Sequence, residues 1–319
     1  MSKISRRQAV TLVAATAGTA LSAGVARSQS PRLSFMTAGQ GSAFLPYGQG
    51  IAKVLAAAGI DQIDVHETKG SNENLSAVNA STAAIGTAFL GSAHEALNGV
   101  GFAAGARHEN IRALFAMYET AFMAAALSAR GISTIAALNG KRVGCGPANG
   151  PAEGYFRAVA EIAEVTAVIV GGTPADQAKQ LRSGEIDAFW QGAFVPIPSL
   201  VAVANAADCV VFGLAGAEIA AMRKRFPFMA DASYPAGTYR GQQATIETVA
   251  AWNVVVAHQD LPEDLAYRIT RAVLTAPDLS ASVGAAAAST TAANATKNSV
   301  VPYHAGARRA LAELGVTVR

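Results

Sequence analysis

Thr68-Lys69-Gly70-Ser71-Asn72-Glu73-Asn74 combines residue types that can hold a small anion. The stretch links a strand pattern, Gln62 to Glu67, to a helix pattern that starts at Ser71. A hydroxyl at Ser71 can cap that helix, Gly70 lets backbone approach a ligand, and the first-turn N–H groups carry partial positive charge. It contains no nucleophile paired with a base. A second candidate, Gly144-Cys145-Gly146-Pro147-Ala148-Asn149, follows a strand and opens a helix as a dinucleotide loop does. Its sixth position is Asn149 where glycine or alanine is needed, and no acid ends the next strand, Val168 to Gly171, so an anion-binding turn explains it better. A thiol enzyme would need Cys145 and one of five histidines, and no local signature selects any of them. The expectation is a binding protein, with no enzyme activity, no cofactor and no metal. His304 reads as a buried structural histidine, because no second ligand stands at metal-binding spacing. Cys145 and Cys209 form no CxxC and read as small buried hydrophobes, with a disulfide left open.

The elements that must position these residues alternate along the chain. Arg32 to Met36 predicts a strand, Pro46 to Ala58 a helix closed by Gly59, then come the Gln62 strand, the Ser71 helix and a strand from Ala84 to Leu90. Short links between such units give a mainly parallel sheet with ligand loops at the strand carboxyl ends. Ile111 to Ser128 is long and apolar for a strand, as a chain crossing between two domains would be. A second series follows: Lys141 to Gly144, Pro151 to Ala163, Val168 to Val170, Pro174 to Ser183 capped by Thr173, Ile186 to Trp190, and Cys209 to Gly213. Thr248 to His258 is the return crossing, and a helix follows from Leu261 with Asp260 and Glu263 in capping-box positions. Ser280 to Asn298, rich in Ala, Ser and Thr, reads as a weakly packed surface helix or loop. Two crossings imply two domains that hinge about a shared cleft, residues 29–122 with 250–319 as the first and 123–249 as the second.

The first 28 residues carry Lys3, Arg6 and Arg7, a weakly apolar run from Ala9 to Gly24, and small residues near Ser28. That pattern is a cleavable export signal, and Ser5-Arg6-Arg7 fits a twin-arginine variant. The run is shorter than the ~20 apolar residues a span needs. Four basic residues and no acid precede residue 29, so the formal charge of +3 becomes −1 once the leader is gone. A nucleic acid partner loses its support, because the remaining basic residues are scattered. The expected mature protein is a periplasmic monomer.

Several separated motifs, in order, resemble the TAXI family of extracytoplasmic solute receptors, which serve TRAP-type secondary transporters. The glycine-rich first loop is Thr37 to Pro46, T-x-G-S-x-E-N is Thr68 to Asn74, and L-x-G-K-R-V is Leu138 to Val143. Ile186-Asp187-Ala188-Phe189, Pro196-Ile197-Pro198, Gly237-Thr238-Tyr239, and His304-Ala305-Gly306-Ala307 with Glu313-Leu314-Gly315 complete the match. The resemblance implies an α/β, two-domain periplasmic-binding-protein fold, class II-like, with two crossover strands as its hinge. It implies closure on a small organic anion, often glutamate or a dicarboxylate, and delivery to the membrane permease subunits of a TRAP transporter. A receptor that reports to a sensor kinase needs the same closure, and the chain does not separate the two.

Three loops, at Gly39 to Ser42, Gly70 to Asn74 and Gly146 to Gly150, are expected to aim helix N-termini into one cleft. The candidate ligand-binding residues are therefore Gly39, Gln40, Gly41, Ser42, Phe44, Gly70, Ser71, Asn74, Gly146, Asn149 and Gly150, with Phe89, Trp190, Gln191 and Tyr239 at strand ends and on the return segment. Trp190 is equally a core residue, and Tyr118 and Tyr239 either reach the cleft or pack the hinge. Phe44 and Leu45 stand where the resembled family has two tyrosines, and Phe89 where it has an acid. Each change removes a polar handle, and an unpartnered polar group in a dry cleft costs about 1 to 3 kcal/mol. The expected ligand is a monocarboxylate with an apolar or aromatic body.

Overall fold

Strand, loop and helix alternate through the first hundred residues of the computed structural model, which describes residues 32–319; the export signal expected at 1–28 lies outside the described residues. β1 (Leu33–Met36), α1 (Phe44–Ala57), β2 (Ile63–His66), α2 (Ser71–Ala80), β3 (Ala84–Phe89) and α3 (Leu90–Asn98) follow one another. β1 pairs in parallel with both β2 and β3. All six residues of β3 are buried, Thr87 included, which is why it lacks the alternation of a half-buried strand.

β4 (Ile111–Leu127) is the first crossing, and its 17 residues extend roughly 55 Å at ~3.3 Å each. After it come β5 (Arg142–Gly144), α4 (Pro151–Ile162), β6 (Val168–Val170), α5 (Pro174–Ser183), β7 (Ala188–Ala193), α6 (Pro198–Ala206), β8 (Cys209–Phe212), α7 (Gly216–Arg225) and β9 (Ala230–Tyr234). β10 (Ile246–His258) returns antiparallel to β4, and α8 (Glu263–Leu274), α9 (Leu279–Val283) and α10 (Ala305–Glu313) close the chain. The strand order is β2-β1-β3-β10-β4-β7-β5-β6, with β8 on β4 and β9 on β10. Two lobes therefore share the β4–β10 ribbon. One lobe adds β1 to β3 against Asn253 to Ala257 of β10, and the other adds β5 to β7 against the C-terminal half of β4. The ribbon's register shifts between Trp252 and Val254, so a bulge falls on Asn253 where the lobes meet.

The packing follows the same division. Trp190, Phe156, Val159 and Cys145 centre a core on one face of the second lobe, while a larger core runs from Phe35 and Leu55 through Phe115 and Val255 to Leu181 and Leu200. Several expectations change. Trp190 is fully buried and donates its indole N–H to the Ala152 carbonyl at 3.0 Å, so it belongs to the core alternative. Tyr239 lies ahead of β10 in a turn, where its hydroxyl accepts the Ile197 N–H at 2.9 Å. Burial pushes that phenol up to about 12. α8 starts at Glu263 behind Pro262, with no side-chain cap, because Asp260 gives its N–H to His258 Nδ1 instead. The Ser280 to Asn298 segment is not loosely packed: Thr290 is buried, hydrogen-bonded to the Tyr47 hydroxyl at 2.8 Å and to the Met117 carbonyl at 3.1 Å. Cys145 and Cys209 are both free thiols, and burial pushes both up.

Candidate functional site

The α2 start is held rigidly from behind. Asn74, fully buried, donates to the Thr37 carbonyl at 2.7 Å and the Thr87 carbonyl at 2.8 Å, tying α2 to the ends of β1 and β3. Thr68 Oγ1 donates to Asn74 Oδ1 and accepts the Gly70 N–H. Gly70 precedes the helix at φ 104°, a conformation that glycine alone adopts without strain. Ser71 is thus the first helical residue and not the cap. Its Oγ accepts the Phe89 N–H at 3.0 Å, which leaves the hydroxyl proton free to donate. The first intrahelical bond runs from Asn74 N to Gly70 O, so the amides of Ser71, Asn72 and Glu73 precede the ladder.

Of these residues Gly70 and Ser71 line a cavity between the lobes, and Asn72 lies at its outer mouth. From the first lobe it is lined by Gly39, Ser42, Phe44, Gly70, Ser71 and Phe89; from the second by Pro147, Pro151, Ala152, Pro174, Gln191 and Gly192. Thr120, Phe122 and Asn253 of the crossing strands form its floor. Four helices, α1, α2, α4 and α5, begin at this cavity, so four positive helix ends converge on it. Lys69, itself exposed, is the one charged residue along the wall, and no Asp, Glu, His or Cys lines it among the described residues. Ser42 Oγ accepts the Phe44 N–H at 3.1 Å, again leaving its proton available. Asn253 is bonded to the Tyr118 carbonyl at 2.7 Å and to Thr120 Oγ1 at 2.8 Å, so these two floor residues satisfy each other.

Seven of the predicted residues therefore share the cavity: Gly39, Ser42, Phe44, Gly70, Ser71, Phe89 and Gln191. The others sit elsewhere for identifiable reasons. Gln40 is exposed and donates to Glu67 at 2.6 Å. Gly41, at φ 80°, packs on α5, where a Cβ would come within 2.8 Å of the Ala175 nitrogen. Asn149 faces the outer mouth of the cleft, and its carbonyl accepts the Asn72 side-chain amide at 2.6 Å. Gly150 is at the same mouth, and Gly146 backs Gln191. Asn74, Trp190 and Tyr239 are the buried supports described above. Gly41 on Ala175 and Asn72 on Asn149 are contacts from lobe to lobe, so the lobes stand closed. Thr120, Phe122 and Asn253 escaped the sequence reading; the available signal was a threonine and an asparagine inside two otherwise apolar crossing runs, where polar side chains need partners.

The NMT1-like family matches residues 35–315, from β1 through the end of α10. The chain belongs to the NMT1-like family. Among solved structures this NMT1-like chain is similar to MatC from Rhodopseudomonas palustris with bound malate, at TM-score 0.53 and 13% identity over 78% of this chain and 86% of that one. It is also similar to the periplasmic binding protein BugD, at TM-score 0.54 and 9% identity over 79% and 85%, and to a periplasmic transporter at 0.54 and 11% over 88% and 91%. At these identities the likeness is one of fold: a two-lobed α/β binding-protein architecture on two crossing strands. No curated protein sequence matches this chain.

Proposed function

We propose that this NMT1-like protein is a periplasmic solute receptor of the TAXI type that closes on a small monocarboxylate with an apolar part and hands it to the permease of a TRAP transporter. The observation that carries the reading is the cavity's chemistry. Convergent helix N-termini and the free Ser71 and Ser42 hydroxyls suit one anionic head. Phe44, Phe89 and Phe122 suit an apolar remainder, and beyond Lys69 at the α2 start a second carboxylate would find no cation on the wall. The motifs at Thr68 to Asn74 and His304 to Ala307 support the TAXI assignment, and the leader's Arg6-Arg7 supports export in folded form. The hinge lies where the ribbon passes 122/123 and 249/250, beside the bulge at Asn253. Calorimetric titration of the mature protein with short monocarboxylates, glutamate and succinate tests the reading. Binding by the monocarboxylates is expected; tight binding to glutamate or a C4 to C5 diacid alone would refute it.

A further inference from the structure

Lys69 stands apart from the other charged side chains around the cleft. It is exposed and lines the cavity, and among the described residues its ammonium meets no carboxylate and makes no hydrogen bond. The acids beside it in the chain and at the outer mouth are already engaged. Glu67 accepts the Gln40 amide at 2.6 Å and Glu73 accepts the Lys69 backbone N–H at 2.9 Å, while Glu153 holds Arg157 at 2.7 Å and accepts the Asn149 N–H at 2.9 Å. The backbone that carries the lysine is fixed on both sides, because Thr68 Oγ1 donates to Asn74 Oδ1 and accepts the Gly70 N–H. Its carbonyl lies against the second lobe, where a Cβ on Gly150 would be 3.9 Å away. An unpaired ammonium on a flexible four-carbon stem therefore rises from a fixed base where the lobes meet at the cavity.

Resting on the receptor reading above, we infer that Lys69 is the counter-charge of the bound carboxylate and the residue that selects monoanions over zwitterions. The Ser71 and Ser42 hydroxyls and the α2 amides hold a head by hydrogen bonds, which the carboxylate of an amino acid receives equally well. Lys69 adds the full positive charge that these groups lack. In an α-amino acid the ammonium sits on the carbon next to the carboxylate, so it is brought close to Lys69 together with the head, and no acid lines the wall to offset the repulsion. A monoanion with an uncharged remainder gains the charge-assisted bond without that repulsion. The pairing is weak while the lysine is solvated and strengthens as the ligand and the closing lobe exclude water from one side of it.

The test is calorimetry on the mature wild-type protein, Lys69→Met and Lys69→Arg with propanoate, butanoate and alanine, at low and at high sodium chloride. Wild type is expected to favour propanoate over alanine by about tenfold or more, and to bind propanoate less tightly as salt rises. Lys69→Met is expected to bind propanoate about tenfold more weakly, to prefer it over alanine by less than about threefold, and to show a flatter salt dependence. Lys69→Arg is expected to keep the preference and the salt dependence, since it keeps the charge. General loosening of the site would weaken both ligands alike and leave their ratio unchanged. A wild-type ratio or wild-type propanoate affinity in Lys69→Met overturns the inference and leaves the receptor reading standing. So does equal binding of propanoate and alanine by wild type, a measurement that needs no variant. Binding of none of the three compounds by wild type overturns both.

Discussion

Ser71 carries two duties through one oxygen. Its Oγ accepts the buried Phe89 N–H beside the cavity, which leaves its proton to donate. Ser71→Ala is expected to weaken monocarboxylate binding by about tenfold and to cost about 1 to 2 kcal/mol of stability, because a buried backbone N–H loses its partner. Calorimetry and urea unfolding on one sample separate the two effects. The sequence showed Ser71 as a helix start, and the structure moves the cap back to Gly70, since spacing marks the first turn and not which residue turns its hydroxyl back to the neighbouring strand. Gln191 was legible as a polar residue ending a strand. Trp190 beside it was not, because period-two alternation assigns neighbours to opposite faces without saying which face is the cleft.

The elements meet across the cleft through an aromatic cluster. Tyr155 of α4 packs edge-on against Phe89 at 5.3 Å, and its hydroxyl rests on Gly91 of α3, where a Cβ would lie 1.9 Å away. A Cβ at Gly91 would also lie 2.6 Å from Phe89 Cε1 on the cavity wall, so Gly91→Ala is expected to hold the lobes ajar and reduce ligand affinity at least about tenfold, with Tyr155→Leu in the same chain restoring only the part due to the tyrosine. Titration of the single and double variants checks this. α10 offers a pH prediction. His304 caps it by accepting the Gly306 N–H at Nδ1, at 3.2 Å, and burial lowers its affinity for a proton below the usual 6.5. The folded state keeps the ring neutral while the unfolded state protonates it, so stability is full above about pH 6.5 and declines as pH falls through and below that value. His304→Asn, which keeps a capping group, is expected to flatten that part of the slope in urea unfolding measured from pH 7 to pH 5. The alternating units were readable because buried parallel strands are apolar runs bounded by loop residues. The Ala, Ser and Thr stretch around Thr290 was not, because small residues pack without leaving a periodic signature, and its anchor is one hydroxyl buried against Tyr47 and Met117.

At the scale of the whole molecule, both crossings were visible in advance as two over-long apolar runs, and they fixed the two-lobed organisation. The closeness of the lobes was not visible, since Gly41 on Ala175 and Asn72 on Asn149 join residues far apart in the chain. Closure of this kind predicts a conformational equilibrium that ligand shifts toward the compact form. Small-angle scattering is expected to give a smaller radius of gyration with a bound monocarboxylate than without one, and a larger one for Gly91→Ala. The central claim, that a single anionic head sits on the amides opening α2 inside the closed cleft, is tested most directly by amide-resolved NMR of the mature chain titrated with lactate or propanoate. Saturable shifts are expected at Ser71, Asn72 and Glu73, accompanied at the same dissociation constant by the side-chain amide of Gln191 on the opposite wall. Saturable shifts confined to residues outside the cleft, or elicited only by glutamate or a diacid, would contradict it.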